Sequence, residues 1–184
     1  MTREEALALL GEHVKNDNMM KHCLSSEAVM AALAERLGED KEKWALAGLL
    51  HDLDVEDTNA DLNVHGLETV KMLKERGVDP EIVDAIKMHN EQAHGEKRST
   101  VFHHALAAGE TITGLIVATA LVYPDKKLAS VKPKSITKRM KEKAFAKSVS
   151  REIIRECETI GIPLAEFAQL SLTAMQGISD QLEL

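Results

Sequence analysis

Between Asn16 and Gly38, the apolar residues Met19, Met20, Cys23, Leu24, Val29, Met30, Leu33 and Leu37 fall at helical spacing. That period puts them on one side of an α-helix and would scatter them over both faces of a strand. Asn16 or Asp17 can cap the start and Gly38 stops the run. The same punctuation repeats along the chain. Thr2 followed by Glu5 is a capping box for a helix to about His13, and Asp40 caps a third helix through Trp44 and Leu50 to His51-Asp52. After a polar stretch from Asp54 to Asn63, a fourth helix is predicted over about Val64 to Arg76, closed by Gly77. Asp79-Pro80 is a cap with a first-turn proline for a fifth, reaching about His89. Ser99 can cap a sixth that runs to about Val122. A short helical piece follows Ser135, another helix runs from Ser148 or Ser150 to Thr159, and Pro163 starts the last, to about Leu182. No segment sustains the alternation of a strand. Only 3% of residues are aromatic, so Leu, Ala, Ile, Val and Met must fill the core, a mixture that favours helices. The expected architecture is all-α, a bundle of about seven to nine helices.

A chain of 184 residues, 44% hydrophobic and 29% charged, is sized for one globular domain with a real core. Within it, a metal-site region is expected over about 19–122, a basic segment over 126–147, and closing helices over 148–184. Cys23 and Cys157 lie far apart without metal-type pairing, and neither a secretory signal nor an unbroken run of 18 apolar residues is present. The cytoplasm is the expected location, with no membrane partner. A formal charge of -7 argues against general nucleic-acid binding. The charge is uneven: Lys126 to Arg155 holds eleven Lys or Arg against two Glu, a balance of +9 that leaves -16 for the remainder. A homo-oligomer is compatible with this composition.

The chemistry concentrates in histidines. A single helical histidine is most often a satisfied core or surface residue, and His13 and His94 read that way, as do the neighbours His103 and His104. His22, His51, Asp52, His65 and His89 are different, because each stands at an element end or on a face that can turn inward. Ligands from separate helices converge in this manner in the metal sites of helical bundles. Imidazoles and carboxylates without thiolate suit Mn, Fe, Zn, Co, Ni or, with fewer nitrogen ligands, Mg.

The order His22, then His51-Asp52, then His65 and His89, then an acid just before "TGLIVATALV" resembles the HD-domain superfamily of metal-dependent phosphohydrolases. The flanking words "LLHDLD" and "ETITGLIVATALVYPDKKLASVKPKSITKRMK" are similar to its small bacterial HDIG-type members. The resemblance implies an all-α fold in which His22, His51, Asp52 and a later acid hold one divalent metal ion. It also implies a second ion on His65 and His89, with Asp52 bridging. The superfamily usually has aspartate four residues before the "TG" glycine, and here that place is Glu110. Its extra methylene moves the oxygen by roughly an ångström, whereas ligand distances tolerate about 0.2 Å. Glu110 is therefore either a ligand of an adjusted site or a hydrogen-bonding neighbour of one.

Asp52 and Asp54 are the expected catalytic carboxylates, Asp54 by orienting a ligand imidazole or a water. Glu56 and Asp57 read as acids that keep a loop solvated. Lys132, Lys134, Lys138, Arg139 and Lys141 offer donors to a substrate phosphate, unless the basic segment is only a solvated surface. The implied activity is hydrolysis of a phosphate ester of a small molecule, a nucleotide among the candidates, by metal-activated water. The same ligands would serve a di-iron oxygenase, and a site degraded at Glu110 would leave a metal-free binding module.

Overall fold

The computed structural model describes all residues from 1 to 184, and it is all-α. Eight helices of seven or more residues are joined by shorter turns: α1 (Arg3–His13), α2 (Asp17–Leu37), α3 (Lys41–Leu50), α4 (Leu67–Glu75), α5 (Pro80–His89), α6 (Val101–Leu121), α7 (Pro133–Arg139) and α10 (Leu164–Gln176). Three single-turn helices complete the set, α8 (Arg151–Ile154), α9 (Glu156–Thr159) and α11 (Ser179–Leu182).

The caps explain most of the boundaries. Thr2 and Glu5 form the reciprocal capping box, Asn16 accepts from the amides of Asn18 and Met19, and Gly38 ends α2 in the left-handed region at φ 76°. Pro80 and Pro133 both sit in a first helical turn, so α7 begins before Ser135. Thr100, not Ser99, caps α6, because its hydroxyl accepts from His103 N while the His103 ring reaches back to the Thr100 amide. The helix expected from Val64 starts only at Leu67, behind Gly66 at φ 94°. The two C-terminal helices expected to run unbroken are each split, at Arg155 and near Gly177.

Helix α6 is the axis. It packs against α2, α3, α5 and α7 to α10, and a single buried cluster of 40 hydrophobic residues extends from Ala6 to Leu182. By length and composition α6 could cross a membrane, but 61% of that apolar stretch is buried inside the fold, where it forms the core. Trp44 stacks flat on Phe102 with centroids 4.8 Å apart, tying α3 to the start of α6. The closest approach of backbones is between α2 and α3. At Gly48 a β-carbon would lie 2.5 Å from Ser26 O and 2.9 Å from Glu27 N, so only glycine lets these helices meet at this depth. That contact lies one helical turn after His22 on α2 and three residues before His51.

Candidate metal centre

Four histidines from four places in the chain meet at Asp52. His22 comes from the first turns of α2, His51 caps the end of α3, His65 ends the turn-rich stretch before α4, and His89 is the last residue of α5. The Asp52 carboxylate lies 3.5 Å from His22 Nε2, 3.3 Å from His51 Nε2, 3.0 Å from His65 Nε2 and 3.6 Å from His89 Nε2. Two three-residue groups result, His22–His51–Asp52 and Asp52–His65–His89, each with ligand atoms within 4.8 Å of one another. Asp52 belongs to both.

Hydrogen bonds at the far side of each ring fix what these nitrogens can do. His51 Nδ1 faces Gly48 O at 2.9 Å and His89 Nδ1 faces Ile86 O at 2.5 Å; both oxygens are carbonyls, so both nitrogens donate. His65 Nδ1 donates to Asp54 Oδ1 at 2.7 Å. His22 Nδ1 is 2.9 Å from the Thr113 hydroxyl, whose own proton goes to Glu110 O at 2.6 Å, so that ring donates as well. With Nδ1 protonated in all four, the metal-ligating lone pairs are on Nε2. These nitrogens then face one another, His22 to His51 at 3.2 Å and His65 to His89 at 3.1 Å, around a carboxylate. Lone pairs converging on lone pairs in a buried site call for a cation, and imidazole nitrogen with carboxylate oxygen is the donor set of a divalent metal.

The electrostatics agree. Burial is the largest influence on Asp52 and would raise its carboxyl, but the surrounding imidazoles of His51, His65, His22 and His89 outweigh it and hold the group far below the carboxylate range. Burial lowers His22 and His89 to about 4, keeping both neutral at physiological pH. At His65 burial also opposes the charge, but Asp52 and Asp54 overcome it and lift the ring to about 10. Without metal, a proton on His65 answers the Asp52 charge.

The HD-domain sequence profile matches residues 19–121, which spans α2 to the end of α6 and includes every residue of this cluster. The chain belongs to the HD-domain family. It is also 29% identical over 99 residues to Ribonuclease Y of Geotalea uraniireducens (strain Rf4), a match that covers 54% of this chain and 18% of that protein.

In this HD domain the remaining expected residues take distinct places. Asp54 is fully buried and does not line the cavity; it accepts from His65 Nδ1, from Gly66 N at 2.8 Å and from Thr69 N at 3.1 Å. It thus caps α4 and aims His65 in one stroke, a positioning role that fits the expected orienting of an imidazole. Gly66 belongs to the same device, since a β-carbon there would lie 3.1 Å from His89 Cε1. Glu110 lines the cavity with Oε2 3.9 Å from His22 Nε2, at the rim of the His22–His51–Asp52 group, and accepts from the Thr111 hydroxyl. Burial pushes its carboxyl up to about 8.

The basic segment does not take the place expected for phosphate contact. None of Lys132, Lys134, Lys138, Arg139 and Lys141 lines the cavity at Asp52; Lys138 and Arg139 border a separate cavity with Tyr123 and Ser135. Arg139 pairs with Glu142 and stacks over Phe145 at 4.3 Å, so its charge serves the local fold. Glu56 is also more than a solvating acid, because it accepts from Lys15 N and Asn16 N at 2.9 and 2.7 Å and holds the α1–α2 junction beside the site. Cys23 is buried in the core, as its helical position indicated.

Several working residues carry no sequence signal of function. Arg98 lines the cavity, forks onto Glu156 with two contacts of 2.8 Å, and donates to Met88 O and His89 O, gripping the end of α5. Thr113 fixes the His22 tautomer. Gly48 was readable in principle, since a glycine inside an apolar helix commonly marks a close approach.

Proposed function

We propose that this HD domain is a metal-dependent phosphohydrolase, hydrolysing a phosphate ester of a small molecule with one or two divalent ions bound. The observation that carries this reading is the set of four Nδ1-protonated imidazoles whose Nε2 atoms surround Asp52. His22, His51, Asp52 and, at the rim, Glu110 would hold one ion; His65, His89 and the shared Asp52 would hold the second. Bound there, a divalent cation polarises a phosphoryl oxygen and lowers the pKa of a water molecule. The protein's own part is to hold that geometry. Asp54 and Thr113 keep His65 and His22 in the ligating tautomer, Gly48 O and Ile86 O do the same for His51 and His89, and the cavity admits the phosphoryl group to this edge. In the overall reaction, water oxygen bonds to phosphorus, the ester P–O bond breaks, and the departing oxygen leaves protonated as the alcohol.

The test is metal content by elemental analysis together with phosphate release from a panel of mono- and diesters. Because one similar protein is by name a ribonuclease, RNA belongs in that panel. His51→Ala is expected to lose both bound metal and turnover, and a variant that kept both would sink the assignment. Two groups sharing one carboxylate would equally suit a di-iron oxygenase; iron at two equivalents with oxygen consumption, and no phosphate release, would select that alternative.

A further inference from the structure

If the site cleaves phosphate esters, the charges around its cavity narrow the substrate. The cavity measures about 570 Å³, a size that takes a small organic ligand. Three acids line it, Asp52, Glu91 and Glu110, against a single Lys or Arg, which is Arg98. That guanidinium is already committed: Nε and Nη2 lie 2.8 Å from the two Glu156 oxygens, Nη1 donates to Met88 O and His89 O, and the side chain is 7% exposed. The nearby Lys97 does not line the cavity; it pairs at the surface with Glu91 at 2.7 Å. None of the five lysines and arginines first considered as phosphate donors, Lys132, Lys134, Lys138, Arg139 and Lys141, lines this cavity. Across from Glu91 and Arg98, the stretch of wall from residues 148–153 carries no charged side chain on the cavity. Leu62, Val149 and Ile153 give it an apolar surface, and the hydroxyls of Ser148 and Ser150 give it donors; the Ser150 oxygen accepts from Ile153 N at 3.3 Å, which leaves its proton free. Ser148, Val149, Ser150 and Ile153 lie outside the HD-matched range of 19–121, so most of this wall comes from beyond the matched region.

We propose that the substrate is a phosphate ester of a small uncharged organic group, in which the phosphoryl group to be cleaved is the only charged group. Divalent ions held by His22, His51, Asp52, His65 and His89 would neutralise that one phosphoryl group. A second phosphate would lie against Glu91 and a wall whose one Lys or Arg, Arg98, is already paired with Glu156, and a charge without a partner is disfavoured there. This rests on the phosphohydrolase reading.

The experiment uses the full chain loaded with Mn²⁺ and matched mono-, di- and triphosphates of nucleosides, glucose 6-phosphate against glucose 1,6-bisphosphate, and a short single-stranded RNA. Within each matched set, kcat/KM is expected to be at least tenfold higher for the singly phosphorylated member, with the RNA uncut. Calorimetric binding of a nucleoside methylenephosphonate is expected to be at least tenfold tighter than that of the corresponding α,β-methylene diphosphate. A preference for polyphosphates or RNA in turnover or binding would overturn the inference while leaving the phosphohydrolase reading intact. Absence of hydrolysis of any ester would remove that reading, and the inference with it. Ser148→Lys, which puts a cation on the neutral wall, is expected to raise the diphosphate-to-monophosphate ratio of kcat/KM at least tenfold. An unchanged ratio in a folded variant would show that wall charge does not set the selection.

Discussion

Adding one methyl group at Gly48 should disturb stability and metal binding together. The new β-carbon in Gly48→Ala would sit 2.5 Å from Ser26 O, 2.7 Å from Ser26 C and 2.9 Å from Glu27 N, all backbone atoms that cannot rotate away. Reaching an ordinary contact of 3.4 Å requires α2 and α3 to separate by about 0.9 Å at this point. His22 rides on α2 and His51 on the end of α3, with Nε2 atoms 3.2 Å apart, whereas ligand distances tolerate only about 0.2 Å. Overpacking of this kind costs about 1–3 kcal/mol, partly offset by the roughly 1 kcal/mol that alanine gains over glycine in a helix. For a chain of this size the net loss lowers the melting temperature by a few degrees, on the order of 2–8 °C. Affinity for the first metal ion is expected to fall by about 10-fold or more, as it does when ligand orientation is disturbed. The assay is thermal melting of the metal-free protein, then calorimetric titration with Zn²⁺. Gly11→Ala is the control: nothing lies within 4 Å of its β-carbon, so it should be neutral to stabilising and leave metal binding alone. A Gly48→Ala protein that melts and binds metal like the parent would refute the reasoning from backbone approach to site geometry.

Asp54→Asn should weaken the second ion selectively. The Gly66 and Thr69 amides claim the one remaining acceptor oxygen, turning the amide nitrogen toward His65 and forcing its proton from Nδ1 to the ligating Nε2; a loss of about 10–100-fold in affinity for that ion, read by metal titration, is expected. Arg98→Ala should destabilise the fold by about 2 kcal/mol, measured by urea unfolding, because it leaves the part-buried Glu156 with His104 alone and removes the donor to the Met88 and His89 carbonyls; pairing it with Glu156→Ala should recover part of that loss. The metal-free protein should be most stable near pH 6.5. Below that, His22 and His89, lowered to about 4, bind protons in the unfolded chain first, while Glu110, raised to about 8, opposes them; two imidazoles against one carboxyl leave stability falling toward pH 4.5 by about 1.4 kcal/mol per pH unit. Above 6.5 the folded state holds the protons of His65 and Glu110 that the unfolded chain has lost, so stability falls again toward pH 8. Urea midpoints that rise or stay level across that upper range would contradict the assigned protonation.

Local signals carried the elements well. Asn16, Gly38, Asp40 and Asp79-Pro80 mark helix ends because a cap is a matter of a few adjacent residues, and the structure places those ends there. The five core site residues were legible through their order along the chain, His22, His51, Asp52, His65 and His89, which the packing of α2, α3 and α5 converts into one cluster. Long-range pairings were not legible. Arg98 meets Glu156 across 58 positions and Thr113 meets His22 across 91, and no period or spacing rule links residues so far apart. The basic segment is a case of the same kind: charge density is visible in the chain, but which cavity a side chain borders depends on how α7 docks, and here Lys138 and Arg139 border a cavity separate from the one at Asp52. The breaks at Arg155 and Gly177 were missed because apolar period alone does not report where tertiary packing bends a helix.

The most direct measurement is long-range ¹H–¹⁵N NMR of the imidazoles in the metal-free protein and through a Zn²⁺ titration. His22, His51, His65 and His89 should each keep the proton on Nδ1 while their Nε2 resonances shift to metal-bound values, with His65 losing its second proton on binding. Zinc that leaves these four Nε2 resonances unmoved, or rings found with the proton on Nε2 instead of Nδ1, would contradict the assignment of this cluster as a metal centre.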